Sequence, residues 1–226
     1  PIPIIPATKR PRIKNWSSIK NDYAQIEKLS LEYPHAGVGV LLNDLIVFDI
    51  DIVDDKQSLL IRDIIIRELG DTIERIGKFP KRALFYRRSG DEFRKKSTQI
   101  FNLEKGKAQL EVLASGTQCI IFGTHPETKQ SYQWIDESPL EVHSEDLPRV
   151  NLKQVKNIIT QSETLLQNHV VQKQVNISAI KTSINEHKRE EGIKDIPLVR
   201  SALSYIDPED YNLSLIHISE PTRQSL

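Results

Sequence analysis

The chain has 226 residues, of which 38% are hydrophobic and 27% charged, with 31 basic and 31 acidic side chains; that is enough for one sizeable core or two small ones. No apolar run approaches the roughly 18 residues that a membrane span requires, and no signal peptide is recognisable. The one cysteine, Cys119 in "QCIIFG", cannot form an internal disulfide, so a buried structural thiol and a reducing, cytoplasmic setting are expected.

Charge is unevenly spread. Lys9, Arg10, Arg12, Lys14 and Lys20 stand in the opening segment with no acid among them, and from Arg75 to Lys107 eleven basic residues face three acidic ones, Asp91, Glu92 and Glu104. Such blocks make a positive field that suits phosphates, the alternative being a solvated basic face.

In chain order, "PIPIIPATKRPRIKNW" reads as a short strand and a Pro-broken basic loop. Ser17 or Ser18 is placed to cap a helix from about Ile19 to Glu32, stopped by Pro34. "AGVGVLL" is a small-residue strand, and Asn43-Asp44 predicts a turn making a hairpin with the next strand, "LIVFDIDIVDD". Ser58 to Leu69 predicts a buried helix closed by Gly70, with a short helix from about Thr72. "RALFYRR" and "STQIFNL" are strand-like, and "KAQLEVLASGTQCIIFGTHPETKQSYQWI" gives two strands around a turn, a loop carrying His125 and Pro126, and a strand with Tyr132 and Trp134. Residues 151 to 192 predict helices rich in Gln, Asn and Lys, as a linker or an exposed pair. "PLVRSALSYIDPEDY" begins another amphipathic helix.

The acidic strand carries the chemistry. Ile46, Phe48, Ile50 and Ile52 face one way, and Val47, Asp49, Asp51 and Val53 the other. One face is core; the other holds two carboxylates roughly 6.5–7 Å apart along the strand, near enough to ligate one or two hard cations such as Mg²⁺ or Mn²⁺. A structural role near a strand exit is the competing reading. Glu111, between Leu110 and Val112, is a third carboxylate opposite an apolar face.

With those residues placed, "IPATKRPRIKNW", "AGVGVLLNDLIVFDID", "RIGKFPKRALFYR" and "QLEVLASGTQCIIFGTHPETKQSYQW" together resemble the N-terminal polymerase domain of bifunctional primase/polymerases of the archaeo-eukaryotic primase superfamily. The versions in phages, prophages and plasmids are the most similar. The resemblance covers residues 1–150 and implies an α/β (α+β) catalytic core with a mixed or antiparallel sheet and an RRM-like unit, followed by a helical extension. It makes Asp49, Asp51 and Glu111 the metal-binding catalytic acids, converging at one cleft around two Mg²⁺ or Mn²⁺ ions. Many relatives carry a His on the strand between these motifs; "KFPKRALFYRR" has none, leaving Lys81, Arg82 or Arg87 for the phosphate contact. Thr124 and His125 of "FGTHP", and Lys9 of the opening loop, are the other nucleotide-binding candidates. The implied partners are a DNA template and primer and (d)NTPs, with polymerisation in residues 1–150.

Three classes of function stand beside one another: template-dependent nucleotidyl transfer, a metal-dependent nuclease, and a catalytically degenerate nucleic-acid-binding module. A restriction-type nuclease calls for Lys two residues after the acid, where Leu113 stands; loss of an acid would mark a degenerate module, and all three are present. No GxxxxGK loop encodes an ATPase motor. After a linker over 151–192, residues 193–212 resemble the start of a primase-associated helical domain, which precedes a helicase region in such proteins. "LSLIHISEPTR", Leu213 to Arg223, reads as translated sequencing-adapter sequence, so 213–226 are expected to be an artefact.

Overall fold

A computed structural model describes residues 1–19 and 22–170. Two sheets share the work of burial. The smaller has strand order β1 (Ile2–Ile4), β2 (Gly37–Leu41), β9 (Gln118–Phe122). The larger has eight strands, six of them along the path β10 (Gln133–Ile135), β4 (Glu74–Ile76), β5 (Arg82–Arg88), β3 (Leu45–Ile52), β8 (Gly106–Leu113) and β6 (Lys96–Ser97). To this path β7 (Phe101–Leu103) is added on β8, and β11 (Arg149–Val150) pairs with β5 in parallel, while the other pairings are antiparallel. Three helices, α1 (Tyr23–Glu32), α2 (Asp55–Leu69) and α3 (Leu152–Gln167), complete the α+β architecture.

The alternation of β3 sets the layers. Ile46, Phe48, Ile50 and Ile52 are fully buried against Ile61 and Ile65 of α2 and Val155, Ile158 and Leu166 of α3. On the opposite face, Val47 packs with Ala83 and Phe85 against Cys119 and Ile121 of the smaller sheet. The smaller sheet thus covers the Val47 end of that face, and the Asp49–Asp51 end is left for polar chemistry. Burial pushes the Cys119 thiol pKa up, as befits a structural cysteine.

Several predicted elements are corrected. Helix α1 starts at Tyr23, capped by Asp22, whose carboxylate accepts from the Gln25 N–H at 2.8 Å; Ser17 and Ser18 sit in a short 3-10 turn, Trp16–Ser18. The predicted β2–β3 hairpin does not form. At Asn43-Asp44 the chain passes from the smaller sheet to the larger, Leu42 bonding back to Thr117 and Asp44 accepting from Arg88. The short helix expected from Thr72 is instead β4, paired on both sides by β5 and β10. "STQIFNL" splits into the separate strands β6 and β7. Within the predicted linker, residues 152–167 are helical and packed: a capping box of Asn151 and Gln154 starts α3, and its apolar face lies in the main core. The rest of the predicted linker, 171–192, the expected domain start at 193–212 and the artefact at 213–226 lie outside the described residues.

Candidate active site

The antiparallel register sets Trp134, Arg75, Ala83, Asp49 and Glu111 side by side across β10, β4, β5, β3 and β8. Directly opposed residues share a face of the sheet, so this row lies on the polar end. Ala83, the smallest of the five, leaves room between Arg75 and Asp49. One row further along, Asp51 is opposite Gln109.

Arg75, Asp49 and Asp51 of these rows line a cleft of about 120 Å³, together with Lys9, Lys81, Arg82 and His125. Six of the nine residues singled out from sequence therefore meet in one place. Lys9 arrives on a loop held by the Gln118 side chain, whose amide donates to the Lys9 carbonyl at 3.0 Å. His125 comes from the loop after β9, its ring edge-on to Tyr132 at 5.4 Å. Gly77 permits that approach: a Cβ there would lie 2.5 Å from Tyr132 Cε1 and 2.8 Å from His125 Cδ2.

Three of the nine stand elsewhere. Glu111 is opposite Asp49 but does not line the cleft; its Oε1 is 2.6 Å from Lys95 Nζ. Arg87 is opposite Leu45, four residues along β5 from Ala83 and so roughly 13 Å away, and it lines a different cavity with Asn43 and Leu45. Thr124 bridges to Ser131 and is not among the lining residues.

Arg82 is present but committed. It is opposite Ile50, hence on the helix side of the sheet, and its side chain is 7% exposed. Its Nη1 meets Glu74 Oε1 at 2.6 Å, its Nε meets Ser58 Oγ at 3.2 Å, and Arg62 Nε meets the other Glu74 oxygen at 2.6 Å. That makes Arg82 half of a buried structural pair. Arg75, missed in the sequence because β4 was not recognisable as a strand, lies on the cleft side instead. Its guanidinium is 4.4 Å from the Tyr132 ring centre and donates to the Ile120 carbonyl.

Electrostatics follow from this placement. Burial raises the Asp49 pKa, with Arg75 and Lys9 opposing the shift. Burial also lowers the His125 pKa, helped by Lys9. The ring Nδ1 accepts the N–H groups of Glu127 and Thr128, both at 3.3 Å, so a neutral His125 carries its proton on Nε2.

Carboxylates are the hard oxygen donors that Mg²⁺ or Mn²⁺ prefers, and β3 and β8 carry three of them on neighbouring rows. The side chains themselves do not converge as the sequence suggests: Asp51 is paired with Lys81 and Glu111 with Lys95, and among the described residues no three His, Cys, Asp or Glu form a group that could hold a metal. Engagement of a cation would require the Asp51 and Glu111 carboxylates to leave their lysines.

Fold and site together define an α+β domain with strand-borne carboxylates beside a cation-lined cleft. Residues 1–150 match the family model for the N-terminal domain of bifunctional DNA primase/polymerases. The chain belongs to that family. No curated protein matches it. Among the described residues no helix is long and apolar enough to cross a membrane.

Proposed function

We propose that the domain extends a primer on a DNA template, transferring a nucleotide from a (d)NTP to a 3′-hydroxyl. The observation that carries this reading is the directly opposed pair Asp49 and Glu111, with Asp51 one row on, at the mouth of a cleft lined by Lys9, Arg75, Lys78 and Lys81. Phosphoryl transfer asks little covalent help of a protein, so positioned charge supplies most of the acceleration. Asp49, Asp51 and Glu111 would hold Mg²⁺ or Mn²⁺, which when bound would activate the 3′-hydroxyl and steady the departing pyrophosphate. The basic side chains bind and orient the triphosphate. Beyond Glu111, Lys95 and Lys107 on the exposed surface suit the primer–template backbone, contacts that grip without reading sequence.

The resemblance to phage, prophage and plasmid proteins supports a role in replicating such an element. Incorporation of labelled dNTP into a primed template with Mg²⁺ or Mn²⁺ tests the activity. Cleavage of the primer without incorporation would favour the nuclease reading, and DNA binding with neither reaction would favour a binding module.

A further inference from the structure

The cleft holds five cations of fixed sign, and three are already committed to carboxylates. Lys78 pairs with Glu127 at 2.5 Å, Lys81 pairs with Asp51, and Arg82 pairs with Glu74. Lys9 and Arg75 make no ion pair with any described residue. Arg75 is the more informative of the two. It is 92% buried, with 8% exposure, and its Nε has no hydrogen-bond partner although the side chain lines the cleft.

A buried guanidinium with an unused donor and no carboxylate in ion-pair contact, Asp49 acting on it only from across Ala83, is poorly matched unless something arrives to complete its partners. Its Nη1 bond to Ile120 and its stacking on Tyr132 hold it in place. They do not neutralise it. Across the same small space, His125 offers an Nε2–H with no net charge to repel a neighbouring cation. These three groups belong to three segments: the opening loop, β4 and the loop after β9. All three are tied to β9 of the smaller sheet: Lys9 through Gln118, Arg75 through the Ile120 carbonyl, and His125 by following that strand.

We propose that Arg75, with Lys9 and the Nε2–H of His125, forms the seat for the outer phosphates of the incoming triphosphate. The assignment rests on the polymerase reading of the cleft and adds to it a residue and a direction. The triphosphate lies towards the smaller sheet, and the 3′-hydroxyl approaches from the Glu111 side. A guanidinium suits this task because, with Nη1 held by the Ile120 carbonyl, its remaining edge, Nε and Nη2, can meet two phosphate oxygens at once, which a lysine ammonium cannot.

The test is calorimetric titration of the full chain with inorganic tripolyphosphate in Mg²⁺, and in parallel with a single-stranded oligonucleotide. Arg75→Lys keeps the charge and loses the fork; Arg75→Gln removes the charge; Arg87→Ala is the control outside the cleft. Tripolyphosphate should bind the unaltered protein, at least tenfold more weakly in both Arg75 variants and unchanged in Arg87→Ala, while oligonucleotide affinity stays within about twofold. If Arg75→Gln fails to fold, Arg75→Lys, verified by its thermal unfolding midpoint, decides the matter. Equal affinity in folded Arg75→Lys, no tripolyphosphate binding by the unaltered protein, or an equal loss of oligonucleotide binding would each overturn the assignment, the last making Arg75 a DNA-backbone contact. Lack of primer extension would overturn the polymerase reading and leave this comparison standing.

Discussion

At Asp49 the fold holds an acid half out of water, so its proton binding is linked to stability. In the unfolded chain the carboxyl ionises at the ordinary value; in the folded chain burial keeps the proton on to higher pH. Stability is therefore lost as pH rises through the interval between the ordinary and the raised value. Asp49→Asn has no such loss. In EDTA its melting point should exceed that of the unaltered protein at pH 8 by about 2–4 °C for each kcal/mol involved, with the gap closing at low pH; a gap independent of pH would show that burial of the charge is not the cause.

Arg82 lines the cleft but is held by Glu74. Its removal strands Glu74, which is 3% exposed, with Arg62 as its other partner. Arg82→Ala should cost about 3–5 kcal/mol in urea unfolding, with the nucleotide KM of the folded fraction little changed. A large KM increase at unchanged stability would return Arg82 to the phosphate site.

At the level of elements, legibility follows the strength of local signals. Strand β3 was readable because its alternation separates four fully buried apolar residues from two acids, and α2 because Gly70 closes an apolar run. Strand β4 was not: three residues, Glu-Arg-Ile, carry no apolar alternation, and its charged side chains meet only partners outside the strand, Arg62 and Arg82 at Glu74 and the Tyr132 ring at Arg75. Losing β4 hid the row that runs from Arg75 to Glu111. The hairpin expected at Asn43-Asp44 failed for a related reason, since a turn signal fixes a change of direction and not the sheet that receives the next strand. Gly77, just past β4, gives a test at this scale. Gly77→Ala puts a methyl into the Tyr132–His125 contact and should cost about 1–3 kcal/mol while weakening nucleotide binding. No change in either quantity would mean that the two rings give way freely.

On the scale of the whole molecule, the family match ends at residue 150 but the core does not. Val155, Ile158 and Leu166 of α3 are fully buried with the apolar face of β3. Each such side chain truncated to Ala typically costs a few kcal/mol, so a fragment ending at residue 150 should unfold at markedly lower urea than one ending at 170. Equal midpoints would show that α3 contributes nothing to the core. Polymerisation should accordingly need residues 1 to about 170, a longer unit than the sequence suggested.

Within the described residues the acids of β3 and β8 lie between exposed lysines and a cation-lined cleft, and primer extension examines that whole arrangement at once. The decisive measurement is incorporation of labelled dNTP into a primed DNA template by the full chain and by Asp49→Asn, with Mg²⁺ or Mn²⁺. Incorporation by the unaltered protein, with a loss of at least a hundredfold in a variant that melts no lower, is the expected result. Extension by Asp49→Asn at the unaltered rate would contradict a mechanism centred on that carboxylate.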